Sequence, residues 1–226
     1  MLGSSQGCLL LGEDNLRALC KVVLCLLTAT ATAIAFAQEG KNEVAGTFGH
    51  SFISDQGVPN SGLSNSTISH GAGYSFEVDY ARILRAADWA DFAVEVPVTL
   101  NPDEDLHYFT DQIPESYSSF VITPAARVRL FPDVNFSPWV SFGGGLGHFK
   151  ASSNLLFFGK NTGNRGETTG VLQGGVGLDL HIPRRTRLEI RVEARDDWSG
   201  APPINVNTGK TRQHNYYVAG GLVYRF

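Results

Sequence analysis

From residue 38 to the carboxy-terminus the sequence contains no cysteine; Cys8, Cys20 and Cys25 all lie ahead of that point. This excludes a disulfide framework and a thiol site from the body of the chain, and it suits a protein that passes through an oxidising compartment, where an unpaired thiol is a liability. Excess charge is missing too: a formal net charge of -4 leaves no footprint for nucleic acid. Apolar runs are limited to one, Val22 to Phe36, about fifteen residues long and short of the roughly 20 that a helix needs to span a bilayer. Beyond it no segment has a convincing 3.6-residue period, which argues against helical architecture.

The apolar run reads as an export signal. Arg17 and Lys21 precede it, and Ala35-Phe36-Ala37 supplies small residues at the -3 and -1 positions of a secretory cleavage site, so cleavage is expected before Gln38. Residues 1–37 are the expected signal peptide; Glu13 and Asp14 are unusual in its positive region and mark 1–16 as the product of a start placed too early. Lipidation is not expected, because Leu19 and Leu24 precede Cys20 and Cys25, and Gly7-Cys8 follows no apolar segment.

Residues 38–226 form one expected domain, in which period-two alternation recurs in eight stretches: 43–53, 70–83, 89–100, 117–131, 136–150, 167–182, 185–197 and from about 213 to the end. The seventh is the cleanest, with Leu188, Ile190, Val192 and Ala194 opposed to Arg187, Glu189, Arg191, Glu193 and Arg195. In the fourth, Pro124 lacks the N–H that a ladder needs and predicts a bulge or kink. Connections alternate: 84–88, 132–135 and 183–184 are tight, whereas about 54–69, 101–116, 151–166 and 198–212 are long and polar. Aromatics cluster at both ends of the strands, with Tyr80, Trp89, Phe131, Phe136, Tyr224 and Phe226 near the turns and Phe52, Tyr74, Phe120, Trp198 and Tyr216 near the loops. Amphipathic rings favour a membrane boundary.

Alternation does not by itself say which face is inside, since a soluble lipocalin-like ligand-binding barrel shares the parity. Lipid outside is favoured by the terminal Phe226, the loop asymmetry, and glycines on the polar faces, which leave room inside a narrow barrel for long neighbouring side chains. Arg187 to Arg195 are expected to project over Gly175, Gly177 and Gly221. The polar face carries Glu77, Asp79, Glu95, Asp179, Glu189 and Glu193 against Arg127, Arg129, Arg187, Arg191, Arg195 and Arg225, so the signs are expected to balance in a paired lumenal plug.

The final strand, Tyr216 to Phe226, resembles the carboxy-terminal signal of bacterial outer-membrane β-barrels, with Gly220 or Gly221, Tyr224, Arg225 and Phe226 in its places and Ala219 replacing the usual polar residue. With the strand and loop pattern, residues 43–226 resemble the small OmpA-type and OmpX-type barrels, which implies an all-β, eight-stranded antiparallel up-and-down transmembrane barrel. The resemblance implies a place in the outer membrane of a Gram-negative-type bacterium, with outer-membrane lipid and lipopolysaccharide as partners. It also implies delivery through the barrel assembly machinery by the last strand. The roles it implies are membrane integrity, surface adhesion or contact with an extracellular ligand through the loops, or slight porin-like permeability. No peptidoglycan-binding domain is expected after Phe226.

Candidate chemistry is sparse. Some barrels of this size modify lipid A through a His-x-Ser-Asn signature, but Ser152 follows His148 by four residues and Ser51 adjoins His50, so no catalytic residue is assigned and an enzyme is not expected. Asp103, Glu104, Asp105, His107 and Asp111 make an acidic loop whose carboxylates suit a divalent cation, yet the spacing is not that of an EF-hand and no metal site or cofactor is assigned. Lys150, Lys160 and Arg165 make a basic loop suited to lipopolysaccharide phosphates, and Asn65-Ser66-Thr67, though a glycosylation sequon, reads as plain loop.

Overall fold

A computed structural model describes residues 40–59, 66–71, 73–110, 112–182 and 187–226. The expected signal peptide, its cleavage residues Ala35, Ala37 and Gln38, the sequon asparagine, Asp111 and the turn at 183–184 lie outside them. The described chain is all strand and loop: β1 (Asn42–Ile53), β2 (Gln56–Gly57), β3 (Thr67–His70), β4 (Gly73–Ala87), β5 (Ala90–His107), β6 (Ser116–Ile122), β7 (Ala125–Leu130), β8 (Phe136–Ala151), β9 (Gly166–His181), β10 (Leu188–Gly200) and β11 (Arg212–Arg225).

All pairings are antiparallel, and they close. β4 follows β1, β5 follows β4, the broken strand β6/β7 follows β5, and β8, β9, β10 and β11 continue until β11 pairs with β1 from Glu43↔Arg225 to Ile53↔Asn215. Counting β6/β7 as one, eight strands form the ring, whose closure leaves no edge within it; the short β3 and β2 extend the sheet beyond it. The seam is locked at the terminus, where Phe226 and Asn42 exchange backbone hydrogen bonds of 2.9 and 3.1 Å.

Pro124 interrupts the hydrogen bonding without shifting the register. Val98 opposes Ile122 before it and Glu95 opposes Ala125 after it, so it breaks the strand without a bulge. A bulge does occur between Ile83 and Arg85, and it carries β4 on to Ala87, so the expected turn at 84–88 shrinks to Asp88 and Trp89. His70, expected to start the second long strand, lies instead in β3, which pairs with an extension of β5 at Ser69↔His107 and His70↔Leu106. Two of the expected long loops are thus partly sheet.

Side chains alternate as a strand demands, and the polar ones point in. Val140 is 54% exposed and its neighbour Ser141 7%, and the same contrast runs through Ile190 and Arg191. A girdle of Phe48, Phe76, Val78, Val140, Phe142, Val176, Val192 and Leu222 covers the outside. A soluble carrier needs the reverse arrangement, with apolar groups around its ligand; an apolar exterior of this extent is stable only against lipid. The lipocalin-like alternative is therefore excluded.

Candidate functional site: the filled lumen and its cap

Inside the ring the buried side chains of the described residues lie in three strata. Nearest the turn end, where β1, β7 and β10 bring their polar faces together, Arg127, Arg129 and Arg191 meet Glu43, Asp79, Asp91, Asp179 and Glu189. Arg191 grips Asp179 with two hydrogen bonds of 2.8 and 3.0 Å and reaches Asp79 at 3.2 Å. Arg129 joins Asp91 at 2.9 Å to Glu189 at 3.2 Å, and Arg127 pairs with Glu43. Arg195, closer to the loop end, binds Glu95 at 2.9 Å, Glu77 at 3.1 Å and Glu193 at 3.2 Å. Each buried guanidinium is shared among several carboxylates, so low-dielectric burial is offset by hydrogen bonds as well as by charge.

Trp139 stands at the centre of these arginines. Its ring is 1% exposed, lies 5.0 Å from the Arg191 guanidinium and 5.1 Å from that of Arg195, and donates its indole N–H to Asp179 at 3.2 Å. Gly177 makes room for it, because a Cβ there would strike the indole ring. The expected glycine contacts therefore need correcting. Gly175 does accommodate Arg195, but Gly177 accommodates Trp139, and Gly221 allows the backbone of β1 at Gly46 and Thr47 to approach closely.

The second stratum is made mostly of hydroxyls and amides. Thr47 donates to Glu193 at 2.6 Å and Thr99 to Glu77 at 3.1 Å. Above them Asn101 and Ser51 hold the inward-turned Glu104, and Gln56, Gln213, Asn215 and Ser199 form a chain with links of 3.0, 2.6 and 2.9 Å.

The third stratum is apolar. Val58 and Ile68 from the first long connection, Leu106, Tyr108 and Ile113 from the second, and Ile204 from the fourth pack with Tyr117 and Phe149, and Leu156 from the third rests against them. The long connections thus build a hydrophobic core of their own across the loop end, a lid that no periodicity in the sequence announced.

Among the expected lumenal residues, Glu77, Asp79, Glu95, Arg127, Arg129, Asp179, Glu189, Arg191, Glu193 and Arg195 come together inside, and Arg225 joins at the rim through Glu43 at 3.0 Å. Arg187 is exposed at the turn end, just before β10 begins, and stays outside the buried set. Glu43 and Asp91 belong to it, although sequence reading passed them over; each lies on the polar parity of its strand, just before the residues singled out. The expected balance of charge is also corrected: with Glu43 and Asp91 inside and Arg187 outside, buried acids outnumber buried arginines among the described residues.

Tyr224 faces outward and stacks on Phe226, with ring centres 6.1 Å apart, while Gly221 opposes Thr47 and Arg191 across its two ladders. The acidic loop is divided, for Glu104 turns inward, and no group of three His, Cys, Asp or Glu among the described residues is placed to hold a metal ion. His148 bonds Thr168 at 2.9 Å, whereas Ser152 is held by Glu115 at 2.7 Å, so the histidine and the serine are not partners. Lys150 and Arg165 border one cavity of about 250 Å³ and Lys160 another.

This fold has known counterparts. Neisserial surface protein A is 15% identical with a TM-score of 0.51, over 82% of this chain and 97% of that one. The outer membrane protein OprG from Pseudomonas aeruginosa is 12% identical with a TM-score of 0.53, over 83% and 96%. The chain has the fold of the small outer-membrane β-barrels. No family model matches the sequence, and no curated protein matches it.

Proposed function

We propose that the protein is a non-enzymatic barrel of the bacterial outer membrane. In this reading its lumen is plugged by charge, and it serves envelope integrity or surface adhesion through its four long connections. One observation supports this reading: buried ion pairs, amides and an apolar cap succeed one another along the interior, which suits a barrel whose outward-facing loops, and not a path through it, do the work. The plug consists of Glu43, Glu77, Asp79, Asp91, Glu95, Asp179, Glu189 and Glu193 held by Arg127, Arg129, Arg191, Arg195 and Arg225. In an eight-stranded barrel, side chains suffice to fill the interior.

Export by a signal peptide ending at Ala37 and delivery by the assembly machinery through Gly221, Tyr224 and Phe226 belong to the same reading, as does contact of Lys150, Lys160 and Arg165 with lipopolysaccharide. Replacing the loop-end connections with short turns tests the reading. Cell-surface binding is expected to fall while the barrel still inserts, and planar-bilayer recordings of the intact protein are expected to show no steady conductance. Large stable current steps would favour a channel, and shortened lipid A after expression would favour an enzyme.

A further inference from the structure

We propose that the cavity shared by the second, third and fourth long connections is a carbohydrate site, taking one pyranose ring that bears a negative group. This rests on the reading that these connections face out of the cell. The cavity measures about 470 Å³ and is lined by Gln112, Leu155, Lys160, Thr162, Gly163 and Asn205. Its chemistry is that of a sugar site: the Gln112 amide offers donor and acceptor side by side to neighbouring hydroxyls, the Asn205 amide adds what its bond to Asn161 leaves over, Thr162 adds a hydroxyl, and Leu155 supplies an apolar patch for the C–H face of a ring. No acid lines it. The charged group among the described lining residues is Lys160, whose ammonium donates to the neutral Asn154 amide at 3.0 Å and has further donors to offer. A carboxylate on the sugar is thereby favoured and an amino sugar disfavoured.

The lining is held in place. Asn161, 7% exposed, accepts from the Asn205 amide at 2.9 Å and from the Gly163 N–H at 3.0 Å, and donates to the Ser152 carbonyl at 3.0 Å. The Asn205 amide nitrogen is thus engaged, and its backbone sits at φ 65, in the left-handed region that asparagine tolerates better than other side chains. Gly163 has no room for a Cβ, which would collide with the Asn205 amide. Beneath, Leu155 is tied to Pro114 by a β-bridge and Leu156 donates its N–H to the Ile113 carbonyl at 3.0 Å, which fixes the third connection to the second. A site set before the ligand arrives avoids the ordering cost that weakens sugar binding by loops.

The test is ligand-observed NMR on the full chain in lipid nanodiscs, with the methyl glycosides of glucuronate, galacturonate, glucose and glucosamine as probes. An acidic glycoside is expected to bind about tenfold tighter than the glucoside, the worth of one charge-assisted hydrogen bond, with glucosamine weakest. Lys160→Met is expected to abolish the advantage of the acidic probes and spare the glucoside, and Asn205→Gly, which keeps the backbone conformation, is expected to weaken all of them. Competition separates the sources: displacement by polysaccharide from the cell's own surface points to a neighbouring lipopolysaccharide, and displacement by fragments of a foreign acidic glycan to an external partner. Absence of protein-dependent signal from every probe, or signal indifferent to both variants, would overturn the site. Loss of adhesion on loop shortening is read separately on cells, so a failed pocket and a failed surface role give different results.

Discussion

Arg191 and Trp139 donate to the same carboxylate oxygen of Asp179, at 2.8 and 3.2 Å, while the guanidinium stands 5.0 Å from the centre of the indole ring. One cation, one ring and one acid are thus fixed by each other in the middle of the barrel. Arg191→Ala leaves Asp179 and Asp79 without their principal partner in a buried site and is expected to cost about 3–5 kcal/mol. Urea titration of the refolded barrel, followed by Trp fluorescence, measures it.

The surplus of buried acids makes the opposite change mild. Glu193→Gln keeps an acceptor for Thr47 and removes one of several carboxylates around Arg195. It is expected to cost about 1 kcal/mol or less, the scale of one hydrogen bond. A loss as large as that of Arg191→Ala, in the same titration, would mean that each acid is individually needed.

Gly177→Ala forces a methyl group against the Trp139 ring and is expected to destabilise by about 1–3 kcal/mol through overpacking or to slow insertion. Gly170→Ala is the matched control, because open space surrounds that position in the same strand. The difference in mobility between boiled and unboiled samples reads both.

The cap is expected to loosen in acid. His70, in β3 outside the membrane-spanning ring, has no hydrogen-bond partner on either ring nitrogen, and burial pushes its pKa from 6.5 down to about 4 against the pull of Asp55. At a pH above the ordinary value the ring is neutral folded or unfolded, so it contributes no pH dependence there. As pH falls from 6.5 towards 4 the unfolded cap takes up a proton that the folded cap refuses, and stability declines through that window. Proteolysis of the loops should rise across it, and His70→Leu should flatten the rise.

The ring was legible because a barrel with lipid outside and polar side chains inside writes its two faces directly as alternating residues, most plainly between Leu188 and Arg195. The cap was not, because Val58, Ile68, Ile113 and Ile204 are scattered singly through irregular connections and meet only once the barrel has brought those connections together. The place of Trp139 was not legible either, since nothing local says that an aromatic on the polar parity of its strand will be ringed by arginines from other strands. Glu43 needed only one more step along its parity, whereas the bulge at Ile83 left no signal in residue type.

The filled barrel, with lipid outside and paired charge inside, is tested most directly by cysteines at two adjacent positions of β8, Val140 and Ser141, because no cysteine follows residue 37 to compete. Val140→Cys is expected to react with a lipid-soluble maleimide and be shielded from an aqueous one. Ser141→Cys, nearly isosteric and buried beside Gln173 and Gly175, is expected to resist both until the barrel is unfolded. Rapid reaction of Ser141→Cys with a small aqueous maleimide in the folded protein would reveal an open, water-filled lumen and contradict the plug.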